Sequence, residues 1–315
     1  MTKLHKLLWG SDPEEFAIYM DAEGNPCAYP PYKFRHNFGV FAEVEPEDIE
    51  GKHPVFLKGD GFKIHEDGAA FEFSVRPSHN PREVFDMIQF CKNLTSQEIL
   101  KKFPEHCLPA LQSLPTVKFD VERWLKEIED GLIDEEGFNM STRFGCDPDN
   151  DAFNTKALQQ VLDVKVHPWR YAGGHIHISG FKDILKDYIH VVTCLALTAG
   201  MAGVAFSDVS SLEHDRTFWY GKPGKYRIQN YGPNNSFGKD YQYGIEYRTL
   251  STRWSSSWDI ASQVFKWAEI GIKNLYDSTL GTELAKKYTD LACKTILSAD
   301  KETATQFLAY VETRL

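Results

Sequence analysis

The 315-residue chain is long enough for one large domain or two average ones, and its 42% hydrophobic and 25% charged residues are typical of a soluble globular protein. With 35 Lys and Arg against 45 Asp and Glu, the net charge of -10 disfavours non-specific binding to nucleic acid or to an anionic membrane. Six cysteines occur without a Cys-x-x-Cys pair, so the sequence indicates neither a zinc knuckle nor a disulfide framework, and reduced thiols predict a cytoplasmic protein. The apolar run at the N-terminus is too short for a signal peptide, and no later segment is predicted to approach a membrane span.

The first predicted strand, residues 6–19, contains the sequence Gly-Ser-Asp-Pro-Glu. Asp12 and Glu14 fall on one side of an extended chain, roughly 6 to 7 Å apart, so that two carboxylates can hold a hard cation between them. The alternative is an ordinary polar strand end after a proline turn. The next segment, residues 26–50, is rich in proline and acidic residues and is predicted to be an irregular loop.

Residues 56–77 have the pattern of a β-hairpin, with Asp67-Gly68 as the turn signal. The second strand of this hairpin carries Glu72 among apolar neighbours. An unpaired buried carboxylate costs several kcal/mol or becomes neutral through a shifted pKa, so Glu72 needs a partner. A metal ion would be one such partner, and a salt bridge to Arg76 or another arginine is the structural alternative.

Two helices and a repeated motif follow. Residues 81–102 have apolar residues at helical spacing after Asn80, a capping residue, and residues 121–132 could form a second helix. At residues 145–149 the sequence Gly-x-Asp-Pro-Asp repeats the pattern of residues 10–14, which suggests an internal duplication, although nothing else repeats.

Residues 171–180 read Tyr-Ala-Gly-Gly-His-Ile-His-Ile-Ser-Gly. In a strand, His175, His177 and Ser179 would lie on one face, and the isoleucines between them would lie on the other. Two solvated histidines on a wet strand face are the simpler interpretation. Because three other strand-like stretches carry carboxylates at the same alternation, we expect all of these side chains to share one site.

A long buried helix is predicted over residues 181–206, and a basic loop comes after it. The cations of the loop surround two glycines, and they are Arg216, Lys222, Lys225 and Arg227. Glycine permits close backbone approach and arginine donates two parallel hydrogen bonds, so the loop suits phosphate oxygens. A solvated basic loop is the alternative.

The last predicted strand, residues 243–251, places Glu246 and Arg248 on one face. Glu246 could bind a cation there, or it could simply neutralise Arg248. Residues 258–276 are predicted to form an amphipathic helix, and residues 281–315 further helical segments.

Six of these motifs occur in the order seen in the phage phiEco32-like carboxylate-amine (COOH-NH2) ligases of type 2, which belong to the glutamine synthetase and glutamate-cysteine ligase superfamily. They are Gly-Ser-Asp-Pro-Glu, Glu-Asp-Gly-Ala-Ala-Phe-Glu-Phe, Phe-Gly-Cys-Asp-Pro-Asp, Ala-Gly-Gly-His-Ile-His-Ile-Ser, Tyr-Gly-Lys-Pro-Gly-Lys-Tyr-Arg and Ile-Glu-Tyr-Arg-Thr-Leu-Ser, within residues 6–260. The resemblance implies an α+β fold in which a curved antiparallel sheet forms a half-barrel with helices packed on its convex side. It also implies a single catalytic domain over residues 1–315, including the C-terminal helices of residues 258–315. The concave face would bind ATP with two or more Mg²⁺ or Mn²⁺ ions for ATP-dependent amide formation.

The resemblance also implies roles for individual residues. The metal ligands it implies are Asp12, Glu14, Glu72, His175 and Glu246. The nucleotide contacts it implies are His177, Arg216, Lys225 and Arg227, and the catalytic residues are Arg248, Arg227 and His177. The first of these positions, Asp12, is commonly Glu in the wider superfamily, and the shorter side chain alters the expected metal geometry.

The chemistry of such a ligase explains why acidic and basic residues occur together. A carboxylate is a poor acyl donor because its leaving group would be oxide, so ATP must first convert it to an acyl phosphate. Transfer of a phosphoryl group to an anion brings negative charges together, and metal ions with Arg and Lys compensate them. The expected substrates are small-molecule or peptide carboxylates and amines, and assembly into a homo-oligomer is a further expectation. Nucleic acid and membrane are not expected as partners, and a phage-encoded protein would act in the host cytoplasm.

Three alternatives come from other classes of protein. A zinc hydrolase of the amidohydrolase type also uses His-x-His, but a site rich in carboxylates favours Mg²⁺ or Mn²⁺ over zinc. A cupin-like barrel requires an acid shortly after His177, where the sequence has Phe181 and Lys182. A non-catalytic binding protein that retains the fold is the third.

Overall fold

The computed structural model describes residues 6–39, 54–102, 110–142, 150–153, 167–181 and 186–315. The strands within these ranges are β1 (Leu8–Ser11), β2 (Glu14–Met20), β3 (Pro26–Ala28), β4 (Val55–Gly59), β5 (Phe62–Asp67), β6 (Ala70–Ser78), β7 (Ala110–Gln112), β8 (Thr116–Lys118), β9 (Asn150–Asp151), β10 (Trp169–Tyr171), β11 (Ile176–Ser179), β12 (Lys225–Asn230) and β13 (Tyr243–Tyr247). The α-helices there are α1 (Pro31–Phe38), α2 (Pro81–Lys102), α3 (Val121–Glu129), α4 (Glu135–Thr142), α5 (Tyr188–Leu195), α6 (Met201–Phe206), α7 (Ser210–Trp219), α8 (Trp258–Ile270), α9 (Thr279–Ser298) and α10 (Lys301–Glu312). The predicted second Gly-x-Asp-Pro-Asp motif, at residues 145–149, lies outside the described residues.

The strands form one large sheet in the order β10-β8-β3-β2-β6-β1-β11-β13-β12-β9, while β5 extends it beside β6 with β4 at its outer edge, and β7 pairs with β2. Among the described pairs only β3 with β8 is parallel, at Cys27 and Lys118, and the others are antiparallel. The sheet curls strongly into a half-barrel. The predicted α+β class with a curved, almost wholly antiparallel sheet is therefore confirmed.

The predicted first strand is in fact two strands, β1 and β2, separated at Asp12 and Pro13. Pro13 has no N–H to donate to a neighbouring strand, and its carbonyl accepts from the Phe73 N–H at 3.1 Å. The interruption lets β1 pair with β6 and β11, while β2 continues with β3, β6 and β7. It leaves Asp12 in the gap between the strands and Glu14 directly opposite Glu72 of β6.

The hairpin predicted over residues 56–77 is confirmed for β5 and β6, joined by a two-residue turn, but the first residues of that range form a further strand, β4, which pairs with β5. Gly68 has a φ of 56°, a left-handed conformation that glycine adopts at little cost. In this register Asp67 faces Ala70 and His65 faces Glu72, so Asp67 and His65 project from the same face as Glu72.

The helices cover the apolar face of the sheet. Ile176, Ile178 and Ile245 project away from the polar face and are at most 1% exposed. They belong to one core with Trp9, Phe73 and the buried sides of α2, α5, α6, α8, α9 and α10. The helix predicted over residues 81–102 is α2, and the one predicted over residues 121–132 is α3. The long buried helix is also present from Tyr188, as α5 and α6 with a π-helical turn, Ala196–Gly200, between them.

The irregular loop predicted over residues 26–50 begins with the strand β3 and continues with the helix α1, so the prediction was wrong for both elements. Pro31 begins the helix, and Gly39 ends it with a φ of 57°. Proline in the first turn and glycine after the last are ordinary helix boundaries, and the buried Phe34 packs the helix against the core.

The prediction that no later segment approaches a membrane span was wrong, because one helix has the length and the composition of such a span. Among the described residues one helix, Tyr188–Phe206, has 19 residues and a mean hydropathy of 1.9. Its apolar side chains pack inside the protein, and 78% of its most apolar stretch is buried there. A helix that is apolar all round is expected in the core of a large domain as well as in a membrane.

Candidate metal centre

A row of cross-strand neighbours runs over the concave face of the sheet. His177 of β11 pairs with Gly10 of β1 on one side and with Glu246 of β13 on the other, and Glu246 pairs with Arg227 of β12. Side chains directly opposite in adjacent strands project from the same face. The sheet therefore brings together the histidine, acid and arginine of three separate sequence motifs.

The first acidic group consists of Asp12, His177 and Glu246, each of which offers a ligand atom within 4.8 Å of the other two. Asp12 Oδ2 lies 3.2 Å from His177 Nε2, and Asp12 Oδ1 lies 3.3 Å from His175 Nδ1. His175 Nδ1 is also 3.4 Å from Glu246 Oε1. Both histidines of the His-x-His motif thus meet the same two carboxylates, and His177, expected to face phosphate, also lies among the metal-capable residues.

The second acidic group consists of Glu14, Asp67 and Glu72, whose carboxylate oxygens also lie within 4.8 Å of one another. Glu14 and Glu72 meet because they are cross-strand partners, and Asp67 joins them from the end of β5. The N–H of Gly173 donates to Glu14 Oε2 at 2.8 Å and fixes that side chain. Sequence reasoning treated Asp67 only as a turn residue, although its alternation with His65 places it on the face of Glu72.

The carboxylates of the second group repel one another. Burial, and then the charge of Asp67, raises the pKa of Glu14 to about 8. Burial, and then the charges of Asp12, Asp67 and Glu14, raises the pKa of Glu72 well above its ordinary value. The positive charge around the second group is therefore too small to keep all of its carboxylates ionised.

The first group is better compensated. Burial opposes ionisation of Asp12, but the pKa of its carboxyl is lowered by His177 and His175. Burial and the charge of Asp12 both act against ionisation of Glu246, yet Arg248 lowers the pKa of that carboxyl. Burial lowers the pKa of His175, with Arg248 acting in the same direction, whereas Asp12 raises the pKa of His177 against the effect of burial.

Arg248 is 2% exposed, and its charge acts on both groups, because it lowers the pKa of Glu246 in the first group and opposes the rise in the pKa of Glu14 in the second. Its Nη1 donates to Glu246 Oε1 and lies 3.0 Å from His175 Nδ1, while its Nη2 donates to the Tyr220 hydroxyl at 3.2 Å. Glu246 therefore does neutralise Arg248 while it also faces Asp12 and the histidines. Sequence reasoning missed Tyr220, and it also missed Gln229, whose amide donates to Glu246 Oε2.

The other predicted cations occupy different positions. Arg227 faces Glu246 across the strands, and Lys225 Nζ lies 3.6 Å from Asp151 Oδ2 at the end of the same strand. Arg216 is fully buried. Its guanidinium donates to three backbone carbonyls, those of Ala172, Thr249 and Leu250, at 2.7 to 2.8 Å. The structure thus places Arg216 beneath the site, where it fixes backbone, and not where the expected phosphate contact would need it.

The structural alternative for Glu72, a salt bridge to Arg76, is not what the structure shows. Arg76 is exposed, and its Nη1 lies 3.7 Å from Asp60 Oδ1 at the neighbouring turn. Glu72 instead lies among the carboxylates of both acidic groups.

A cavity of about 400 Å³ opens beside Asp12 and His177. Its apolar lining comes from Leu8, Val75, Pro77 and Phe237, and Arg76, Tyr231, Asn235 and Ser236 add polar atoms. Gly10 belongs to the cavity wall, where an added Cβ would lie 3.4 Å from the His177 side chain. A cavity with an apolar wall and a charged end suits a ligand with an apolar ring and an anionic tail.

Two observations indicate that these residues suit divalent metal ions. Asp12 Oδ1 and His177 Nε2 are buried without a well-formed hydrogen bond in the described part of the chain, although charged neighbours lie within 3.3 Å of them. The donor set is five carboxylates and two imidazoles, and sites rich in carboxylate suit Mg²⁺ and Mn²⁺. A cation in each group would relieve the repulsion that raises the pKa values of Glu14 and Glu72.

Comparison with known proteins finds similarity among solved structures. No protein-family model matches the chain, and no curated protein matches it. A solved structure described as a novel glutamine synthase homolog aligns with 96% of this chain and 67% of its own, at 12% sequence identity and a TM-score of 0.40.

Proposed function

We propose that the protein is an ATP-dependent carboxylate-amine ligase that forms an amide bond through an acyl phosphate. The main support is the convergence of two acidic groups on one concave face, with Arg248 between them. Four separate stretches of sequence contribute these residues, and their ligand atoms lie within 4.8 Å of one another in each group. Five carboxylates on one face lower the stability of the folded protein through mutual repulsion, so a purely structural role does not explain them.

ATP occupies the cavity beside the first group in this proposal. Its base lies against the apolar wall formed by Val75 and Pro77, and its phosphates point toward His177 and the neighbouring Arg227. The cavity is of the size typical for small-molecule sites. Arg227 and Lys225 share one face of β12, and they supply positive charge at the end of the phosphate chain.

The reaction then has two steps. A substrate carboxylate oxygen attacks the γ-phosphorus of ATP, the bond from that phosphorus to the β,γ-bridging oxygen breaks, and ADP leaves. The amine nitrogen attacks the acyl carbon, phosphate leaves with the acyl oxygen, and a proton from nitrogen passes to water or a basic side chain. Divalent ions, when bound, would neutralise the phosphate and carboxylate charges that these steps bring together.

The protein's own residues prepare that environment. Glu246 and His175 hold the Arg248 guanidinium in a fixed position, so its positive charge is directed at the space between the groups before substrate arrives. A preorganised buried charge stabilises developing negative charge without reorganisation. Asp12, His175, His177 and Glu246 would hold one ion, and Glu14, Asp67 and Glu72 another.

The direct test measures ATP consumption with Mn²⁺ or Mg²⁺ and a mixture of candidate carboxylates and amines, together with amide products by mass spectrometry. Glu14→Gln and Glu246→Gln should each abolish metal-dependent turnover, because each removes a charged ligand. Glu283→Gln, which changes an exposed acid paired with Arg314, is the matched control and should retain activity. Full activity in both site variants would refute the proposal.

Metal and nucleotide analysis separates the rival classes. Tight stoichiometric zinc in the purified protein would favour a hydrolase, and failure to bind ATP would favour a non-catalytic binding protein. In the proposed function the substrates are small-molecule or peptide carboxylates and amines, joined in the cytoplasm by a single catalytic domain.

A further inference from the structure

A second cavity lies on the opposite side of the sheet from the two acidic groups. Its volume is about 540 Å³, and its walls come from α2, the end of β7, Asp208 and residues 253–260. Glu15 also lines it, and because Glu15 follows Glu14 along β2, the two side chains project from opposite faces of the sheet. A ligand in this cavity would therefore be separated by the sheet from the candidate metal centre.

The charges that line this cavity cancel. Among its described lining residues two are acidic and two are basic, namely Glu15, Asp208, Lys92 and Arg253. Lys92 Nζ lies 2.6 Å from Glu15 Oε1, and Arg253 donates to the two carboxylate oxygens of Asp208 at 2.6 and 2.7 Å. Such a lining has no net attraction for a lone cation or anion, but it attracts a ligand that carries one charge of each sign.

Glu15 has an acceptor for the positive end of such a ligand. The side chain is 1% exposed, and its polar contacts in the described part of the chain are all made by Oε1. These contacts are Lys92 Nζ and, at 2.9 to 3.1 Å, the hydroxyls of Ser113, Thr252 and Ser255. Oε2 has no hydrogen-bond partner among the described residues, although an ionised carboxylate accepts at both oxygens. An ammonium group would compensate the desolvation of this buried oxygen.

Arg253 has a donor for the negative end. Its Nε and Nη2 are used on Asp208, whereas Nη1 has no partner within the described ranges, and a guanidinium binds carboxylates well. Asn93 and Gln112 also line the cavity, and their side-chain amides make no hydrogen bond to any described residue. Each amide can both donate and accept, so the rest of the ligand meets groups that suit a polar, uncharged side chain.

We propose that this cavity binds a zwitterionic amino acid whose side chain carries an amide or a hydroxyl. The ammonium group donates to Glu15 Oε2, the carboxylate accepts from Arg253 Nη1, and the side chain bonds to the amides of Asn93 and Gln112. The cavity volume of about 540 Å³ is within the range of small-molecule sites. The site is additional to the concave face and does not depend on the ligase proposal.

The first experiment is calorimetric titration of the full-length protein in EDTA with L-asparagine and with L-serine. We expect saturable binding of at least one of them. Each is compared with its analogue without the carboxylate, β-alaninamide or ethanolamine, and with its analogue without the amino group, succinamate or 3-hydroxypropionate. Each analogue should bind about 10- to 100-fold more weakly, the effect of losing one hydrogen bond to a charged group. Failure of both amino acids to bind, or equal binding of the analogues, would overturn the inference.

The second experiment repeats the titration with variants of the cavity. Arg253→Met should weaken binding of the amino acid by the same factor. Arg314→Met is the matched control, because it removes an arginine that also donates twice to one acid, Glu283, but does not line the cavity. Gln112→Leu keeps the side-chain size without its amide and should also weaken binding, and it serves as the test if Arg253→Met does not fold. Unchanged affinity in whichever of these variants folds would contradict the inference.

A third variant distinguishes this cavity from the concave face. Glu246→Gln alters the candidate metal centre, so it should bind the amino acid as tightly as the wild type does. Loss of binding in Glu246→Gln, with binding retained in Arg253→Met, would place the amino acid on the concave face and refute the proposed site. Binding that is lost only in the cavity variants would support it, whatever the outcome of the ligase assay.

Discussion

In the metal-free protein, Glu14→Gln should increase stability at mildly alkaline pH while leaving it nearly unchanged near pH 5. Burial and the neighbouring Asp67 raise the pKa of Glu14 to about 8. Glutamine has the same shape and can still accept from the Gly173 N–H, so the substitution removes mainly the charge.

The magnitude follows from the pKa of the folded state relative to the ordinary value of 4.5. An acid whose pKa is raised on folding holds its proton more tightly in the folded state than in the unfolded state. The free energy of unfolding is therefore highest below the ordinary pKa, and it falls as pH rises through the folded pKa. Each pKa unit corresponds to about 1.4 kcal/mol, so a rise from 4.5 to about 8 corresponds to a loss on the order of 5 kcal/mol between about pH 5 and pH 8. Glu72 acts in the same direction, because its pKa is also raised.

The assay is urea unfolding followed by circular dichroism in EDTA at several pH values across this range. Wild-type stability should fall with rising pH, and Glu14→Gln should fall less. Glu283→Gln is the control, since Arg314 lowers the pKa of Glu283 and the acid is ionised throughout. Added Mn²⁺ should reverse the order at pH 8 by stabilising only the wild type. Wild-type stability that rises from pH 5 to pH 8 in EDTA would refute the reasoning.

Two further predictions concern a buried ion pair and the close packing at Gly173. Lys92→Met should destabilise the protein by about 3 to 5 kcal/mol in urea unfolding, because Lys92 Nζ lies 2.6 Å from the buried Glu15 carboxylate and its loss leaves that carboxylate with hydroxyl donors but without a cation. Adding Glu15→Gln should recover most of the loss, and a double variant as unstable as the single one would contradict this. Gly173→Ala should weaken Mn²⁺ binding at least tenfold in a calorimetric titration, since its Cβ would lie 2.3 Å from His175 Nε2. Unchanged affinity in the folded Gly173→Ala protein would contradict the close approach.

Local pattern correctly predicted the elements whose signals are contained in a few neighbouring residues. The Asp67-Gly68 turn, the helix α2 and the alternation around His177 depend on backbone preference and on side-chain period, and both can be read within one segment. The helix α1 had such signals in Pro31 and Gly39, but the many prolines around them favoured a loop.

Local patterns could not predict where side chains from distant segments meet. Arg216 lies in a basic sequence, yet α7 turns its guanidinium inward to three carbonyls, because side-chain direction depends on how the helix docks. Tyr220 gave no signal of its own, since its partners Glu14, His175 and Arg248 come from distant segments.

The sequence by itself determined which faces of the strands are polar and which residues could bind cations, because alternation along a strand is a local property. Only the tertiary structure decided that these residues form two groups joined by Arg248 and Tyr220. Register and curvature of the sheet set the distances between strands, and they arise from contacts among all of its strands and helices together.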